Sequence, residues 1–372
     1  MVSASKTRKR FSGLGEGRST PIYIEPTVND TAVLIAFFNP ARFKRILKNV
    51  LYIISILKEN KIPCFVVECT FHKSRPQIPG ADLVLNSDSY MFYKEQLLNK
   101  LEPLVPKKYT KLVFLDGDVL LDTPDWIDQI SESLNSHDII QPFSQSCWLT
   151  PDNTRIRSKK MSYAFAIVTK KPISKKTVHD YHPGFIWAFK RDIFRRIGGF
   201  FPRSIIGGGD VATVLNVFPI EVTDELFYKA INPEFGKLII DAWRAYNTTF
   251  KEVNPKLGFL SNRALHLFHG VRENRQYMSR YHDIYTAMKG SWDEEIVTNS
   301  DGLFEFKRPE INRVVLNYFK GRNEDISLKE AENATRDEPV RSTKRRAGAT
   351  RRGGSALDYI RKDDTIVTLP SE

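Results

Sequence analysis

The chain has 372 residues, 41% of them hydrophobic and 27% charged, the make-up of a globular protein with one large domain or two small ones. That composition excludes collagen-like chains, disulfide scaffolds and chains disordered throughout. Basic residues exceed acidic ones by 12, an excess that suits nucleic acid, an anionic membrane surface or a phosphorylated small molecule.

The charge is unevenly spread. Residues 1–20 carry a net +4, and 341–352 hold six bases and no acid in a Ser/Thr/Gly/Ala background. Both ends read as disordered basic tails, over 1–25 and 326–372, on a body at 26–325 that is only mildly basic. The tails can touch an anionic membrane. Nucleic acid fits poorly, because no zinc-finger, RRM-like or basic-zipper pattern accompanies the charge. There is no apolar leader at the N-terminus and no run near the ~20 apolar residues of a membrane span, so the expected setting is soluble and cytoplasmic. Of the three cysteines, Cys64 and Cys69 fall on opposite faces of one strand, which argues against a bridge between them.

In chain order, TAVLIAFF at 31–38 predicts a strand, and Phe43, Ile46, Leu47, Val50, Ile54 and Leu57 recur at helical spacing after it. Strands follow at 64–70 and 81–86, a helix at 91–101 and a buried strand at Lys111–Leu115. Thr123-Pro124 predicts a helix cap, and DIIQPF another strand. Alternating strands and helices imply an α/β layer with a mostly parallel sheet. Residues 143–180 are polar and irregular and read as a long loop. Beyond them come a strand at PGFIWAF and a short helix stopped by Gly198-Gly199. Helices at 210–217, 223–231 and 234–247, a strand at 259–269 and helices at 273–288 and 309–321 complete the reading.

Three motifs can carry chemistry. In FLDGDVLL, Asp116 and Asp118 flank a glycine where a buried strand opens into a loop. That is either ordinary turn chemistry or a pair of carboxylates holding a divalent cation. In SIIGGGDVATVL, Asp210 stands at a helix start, as a cap or as a general base. ALHLFHG puts His266 and His269 three apart beside a glycine, fit for a metal ligand and its neighbour; imidazole with carboxylate suits Mn²⁺ better than Ca²⁺. Arg272, Arg275 and Arg280 follow, able to meet phosphate or simply to line a solvated face. His182 and Trp187 offer rings that stack on sugars or fill the core.

The run AFFNPARFKRILKNV, YKEQLLNKL, FLDGDVLLDTPDW, IIQPFS, HPGFIWAFKRDIFRRIGGF, IIGGGD and HLFHGVRENRQYMSRY resembles, over roughly residues 31–285, GT-A-type nucleotide-sugar glycosyltransferases. It is similar in order to inverting β-galactosyltransferase-like enzymes and their bacterial and viral relatives. The resemblance implies a Rossmann-like sheet flanked by helices, with 26–142 as the nucleotide-sugar-binding half and 143–325 as the acceptor-binding half. It also implies a Mn²⁺ (or Mg²⁺) cofactor, a nucleotide-sugar donor such as a UDP-sugar, and a glycan, glycolipid or glycoprotein acceptor. Carried over, Asp118 is a metal ligand and His269 or His266 another. Asp116 meets the ribose or a metal-bound water, and Asp210 is the general base. Phe38, Asn39, Arg42 and Lys94 touch the nucleotide, while His182, Trp187, Gly208 and Gly209 border the acceptor. The GGGD loop departs from the pattern in having one carboxylate where galactosyltransferase-like members have two or more.

A haloacid-dehalogenase-like phosphohydrolase is the rival reading, with Asp116 as nucleophile and Asp118 as acid/base. It needs a later acidic pair for Mg²⁺, and VATVLNV after Gly209-Asp210 offers none.

Overall fold

The computed structural model describes residues 30–217, 224–277 and 279–336; the basic stretches at 1–25 and 341–352 lie outside them. Strand β1 (Thr31–Phe38) is apolar along its length because both faces are covered. Ala32 and Leu34 point into one core cluster, Val33, Ile35 and Phe37 into the other. Helix α1 (Lys44–Glu59) lays Val50, Ile53, Ile54 and Leu57 against the second face, the stripe its 3.6-residue period predicts. Strands β2 (Cys64–Phe71) and β3 (Leu83–Ser87) extend the sheet in parallel, and α2 (Lys94–Leu101) covers the first face. The chain then crosses back to β4 (Lys111–Leu115), which pairs in parallel with the other edge of β1.

Further on come β5 (Val119–Leu121), α3 (Trp126–Ser136), β6 (Ile139–Gln141), β7 (Gln145–Leu149), β8 (Ile156–Met161), α4 (Tyr163–Val168), β9 (Ile186–Lys190), α5 (Arg191–Arg196) and α6 (Gly209–Val214). Helices α7 (Asp224–Ala230) and α8 (Pro233–Val253) lead to β10 (Leu257–Phe259), β11 (Arg263–His266) and α9 (Arg280–Ala287). The described chain ends with α10 (Trp292–Glu295), β12 (Ile296–Thr298), β13 (Phe304–Phe306), α11 (Pro309–Gly321) and α12 (Leu328–Arg336). The central sheet has seven strands in the order β10-β6-β9-β4-β1-β2-β3. Only β9 runs antiparallel to its neighbours. This is the mixed α/β architecture, mostly parallel and flanked by helices, expected from the alternating pattern. Because β2 and β4 leave β1 in opposite directions, the carboxyl ends of β1 and β4 open a crevice at a switch point, where ligands bind in such sheets.

Four local expectations need correction. The 143–180 segment is not a long loop: β7 and β8 form a hairpin in a second sheet, β5-β11-β7-β8. Its outer strand, IRSKKM, hides in the sequence because an edge strand carries exposed polar residues such as Ser158 and Lys159. Thr123 does not cap α3; its hydroxyl donates to Asn262 Oδ1 at 2.8 Å, and the helix begins three residues later at Trp126. The run 259–269 is two strands in different sheets, β10 beside β6 and β11 between β5 and β7. The helix expected at 273–288 is broken at Gln276 (φ 46°) into a 3-10 turn, Glu273–Arg275, and α9.

Helix α12 extends past residue 325 and buries Ala331. The three cysteines are free, with Cys64 and Cys69 in different core clusters. No helix among the described residues is long and apolar enough to cross a membrane.

Candidate active site

Leu115 ends β4, and the next residues turn sharply: the Val119 amide donates to Asp116 O at 3.2 Å, and the Asp116 amide to Phe185 O at 2.9 Å. The Asp-Gly-Asp segment is therefore a turn, and the turn aims both carboxylates into a cavity of about 230 Å³ at the carboxyl ends of β1 and β4.

Asp118 faces the end of β11. Its Oδ2 lies 2.7 Å from His269 Nε2 and 3.6 Å from His266 Nε2, and the two imidazole nitrogens are 3.2 Å apart. The ligand atoms of these three residues fall within 4.8 Å of one another. Asp118 Oδ1 is buried with no hydrogen-bond partner among the described residues, a costly state for a carboxylate oxygen unless a cation takes it up. A carboxylate oxygen and two imidazole nitrogens suit a divalent transition metal, so the donor set fits one. Burial drives His266 down to about 3, which keeps it neutral and available as a ligand. Burial and Arg275 work against charge on His269, but Glu324 and Asp118 outweigh them and hold its pKa above the ordinary value. Burial also opposes charge on Asp118, yet the two histidines hold its pKa well below the usual carboxylate range.

The other half of the cavity centres on Lys94, the first residue of α2. Its Nζ lies 2.7 Å from Asp116 Oδ1 and 2.7 Å from Asp210 Oδ1. Burial opposes the ammonium, but the two carboxylates overcome it and raise its pKa. Asp210 sits in the first turn of α6, whose N-cap is Gly208 (φ +90°), so it is not the cap. Gly184 makes room for it: a Cβ there would stand 2.4 Å from Asp210 Oδ2. Glu95, buried beside this group, is pushed up to about 8 by burial.

The remaining predicted residues divide. Phe38 lines the cavity and packs edge-on against Phe92 at 4.8 Å. Asn39 lines it too, with its side chain committed to the fold: Nδ2 donates to Phe43 O and Gln77 Oε1, and Oδ1 accepts from the Phe43 amide. His182 borders the cavity, its Nε2 buried without a hydrogen-bond partner among the described residues and its ring 3.9 Å from that of Phe185. Gly208 lines the wall. Three residues stand apart. Arg42 is exposed and outside the lining, because the turn that hydrogen-bonds its amide to Asn39 O directs it to the surface. Trp187 is 4% exposed in the core with its indole N–H on Pro183 O, since β9 turns it toward the α2 layer. Gly209 packs against the Glu95 side chain instead of facing the cavity.

Of the three arginines, Arg272 is exposed, while Arg275 and Arg280 line the cavity. Sequence reasoning missed the contact made by Phe185 of the HPGFIWAF segment, which stacks on His266 at 5.0 Å despite a left-handed φ of 76°. It also missed Glu324, whose Oε1 lies 3.1 Å from His269 Nδ1. The strained Phe185 has no signal in the sequence, and Glu324 lies 55 residues from its partner among ordinary surface charges.

No family model matches the sequence, and no curated protein does. Among solved structures, the chain is similar to the catalytic domain of Drosophila β1,4-galactosyltransferase 7 in complex with xylobiose, at 12% identity over 77% of this chain and 98% of that one, with a TM-score of 0.37. It is similar to a mannosyltransferase of Pyrobaculum calidifontis in complex with GDP-Man and Mn²⁺, at 11% identity over 82% and 72% of the two chains and a TM-score of 0.34. A third likeness is to 4-diphosphocytidyl-2C-methyl-D-erythritol synthase of Anaerococcus prevotii, at 8% identity over 63% and 88% and a TM-score of 0.29. Likenesses so distant leave the chemistry to be read from the side chains.

Proposed function

We propose that this chain is a metal-dependent glycosyltransferase that moves a sugar from a nucleoside-diphosphate sugar, a UDP-sugar in the first instance, to a hydroxyl of a glycan, glycolipid or glycoprotein, with inversion. The observation that carries the reading is the convergence, around one cavity at the switch point of the sheet, of the Asp118–His266–His269 donor set with the Lys94-tethered Asp210. Asp118, His266 and His269 would hold Mn²⁺ or Mg²⁺, which when bound neutralises charge on a leaving diphosphate. Arg275 and Arg280, both lining the cavity, supply further positive charge for it.

Asp116 and Asp210 are the two cavity carboxylates that are neither in the donor set nor paired with a histidine; Asp116, beside the metal-site turn, is taken for the ribose or a metal-bound water, and Asp210, on α6 across Lys94, for the base. In the step, the acceptor oxygen attacks the anomeric carbon, its proton passes to Asp210, and the bond to the diphosphate breaks as the nucleoside diphosphate departs. Phe38 and the Asn39 loop border the donor, and His182 and Gly208 the acceptor.

The hydrolase reading is disfavoured by the two histidines on Asp118, since its second aspartate must be free to trade a proton with the leaving group. The deciding experiment screens UDP-, GDP- and dTDP-sugars for nucleotide release with and without Mn²⁺. Metal-dependent release with any donor supports the reading. No metal-dependent turnover or binding with any of them overturns it, and phosphate release from a simple phosphomonoester would favour the hydrolase.

A further inference from the structure

Gly270 follows His269 with φ +93°, and a Cβ there would lie 3.3 Å from Arg322 O and 3.3 Å from Glu324 Cα. The chain leaving α11 thus crosses directly over the end of the histidine segment. Two successive carboxylates on this crossing point in different directions. Glu324, 3% exposed, turns inward, where its Oε1 meets His269 Nδ1 at 3.1 Å and pairs with Arg322. Asp325 turns to α1, its two oxygens accepting the Lys44 amide at 2.8 Å and the Arg45 amide at 2.7 Å. These are the first N–H groups of a helix that has no side-chain cap of its own. Arg45 Nη2 donates back to Ile326 O at 2.9 Å, and Ile326 packs on the small cluster of Phe268, Val271 and Ala331. The strap is tied down on both sides of Glu324.

We propose that Glu324 is the positioning residue of the metal centre, acting through His269; the inference rests on reading Asp118, His266 and His269 as a divalent-cation site. An imidazole that donates from Nδ1 to a fixed carboxylate has its ring orientation set and its Nε2 turned to the ligand position. Nε2 is the His269 atom that faces Asp118 and His266. The carboxylate also makes the ring a stronger donor. A purely structural ion pair would need only Arg322, whereas burying this carboxylate against a ring already facing a second carboxylate costs desolvation that metal ligation would justify. Asp325 latches the same strap to α1 and, among the described residues, has no contact with the histidines.

The test is Mn²⁺ binding to the full chain without nucleotide, followed by the paramagnetic resonance signal of the free ion, together with the visible spectrum of bound Co²⁺. Glu324→Gln keeps the side chain's shape and removes its charge; the expected result is about a 10- to 100-fold rise in the Mn²⁺ Kd, with shifted Co²⁺ bands and unchanged circular dichroism. Asp325→Asn loosens the strap without touching His269 and should leave the Co²⁺ spectrum at wild type. A wild-type Kd in Glu324→Gln, or equal losses in the two variants with an unchanged Co²⁺ spectrum, overturns the role of Glu324 and leaves the glycosyltransferase reading standing. Absence of Mn²⁺ binding by the wild-type chain overturns the role of Glu324 together with the preformed cation centre, whereas the glycosyltransferase reading falls only if the donor screen also shows no metal-dependent turnover or binding.

Discussion

Lys94 and Asp210 meet at 2.7 Å although 116 positions separate them in the sequence, and the same ammonium lies 2.7 Å from Asp116. One cation thus joins the carboxylate at the end of β4 to the carboxylate at the start of α6. Lys94→Met would leave Asp116 and Asp210 facing each other across a partly buried gap, with Glu95 beside them. Removing one member of a buried ionic group costs up to 3–5 kcal/mol, and the partial exposure of these side chains brings the expected loss to about 2 kcal/mol. Urea titration should report it as a lower midpoint at an unchanged slope. A wild-type midpoint would mean that the bridge is energetically idle.

The two aspartates assigned to metal and base should separate cleanly. Asp118→Asn removes a charged donor from the Asp118–His266–His269 set, so Mn²⁺ affinity and turnover should fall together. Asp210→Asn leaves that set intact, so Mn²⁺ and donor binding should persist while kcat drops by about 10²- to 10⁴-fold, the usual worth of a general base. Titration of Mn²⁺ beside steady-state kinetics distinguishes the two patterns. An Asp210→Asn variant with wild-type kcat would dismiss it as the base.

The paired aspartates and the two histidines are legible in the sequence because each motif is local: a strand-end carboxylate turn and a strand followed by HLFHG. Trp187 is not, because an aromatic in PGFIWAF carries no mark of which sheet face it takes, and in the fold that face is core. Arg42 misleads for a related reason. Its neighbours Phe38 and Asn39 line the cavity, but its left-handed φ of 55° sends the chain outward at that residue. Glu324 is illegible from any local pattern, since its role is created by a crossing of the chain over Gly270, long after the recognisable motifs end.

The buried position of Trp187 leads to an expectation opposite to that of a sugar platform. Trp187→Phe removes an indole N–H that donates to Pro183 O at 2.8 Å and part of a packed ring, leaving a small void. The lost bond and void together should cost about 1–3 kcal/mol of stability, with the acceptor KM unchanged. Thermal melting and acceptor titration read the two effects separately. A raised KM at unchanged Tm would return the indole to the acceptor site.

Thiol chemistry reports on the integrity of both sheet faces. Burial pushes the Cys64 thiol up to about 12, with Asp82 adding to the shift, and raises Cys147 to about 11; Cys69, 2% exposed, is raised as well. An unfolded cysteine ionises near ~8.5, so the folded state favours the neutral thiols. The stability they contribute is fully present below that pH and is lost as pH rises toward the folded values. Alkylation requires the thiolate. Between pH 8 and 9, iodoacetamide should therefore leave the native chain almost unmodified, whereas all three cysteines should react in guanidinium. Mass spectrometry counts the adducts. Rapid labelling of Cys64 in the native chain at pH 8 would mean that β2 is open on the α1 side, contrary to the packing of α1 against that face.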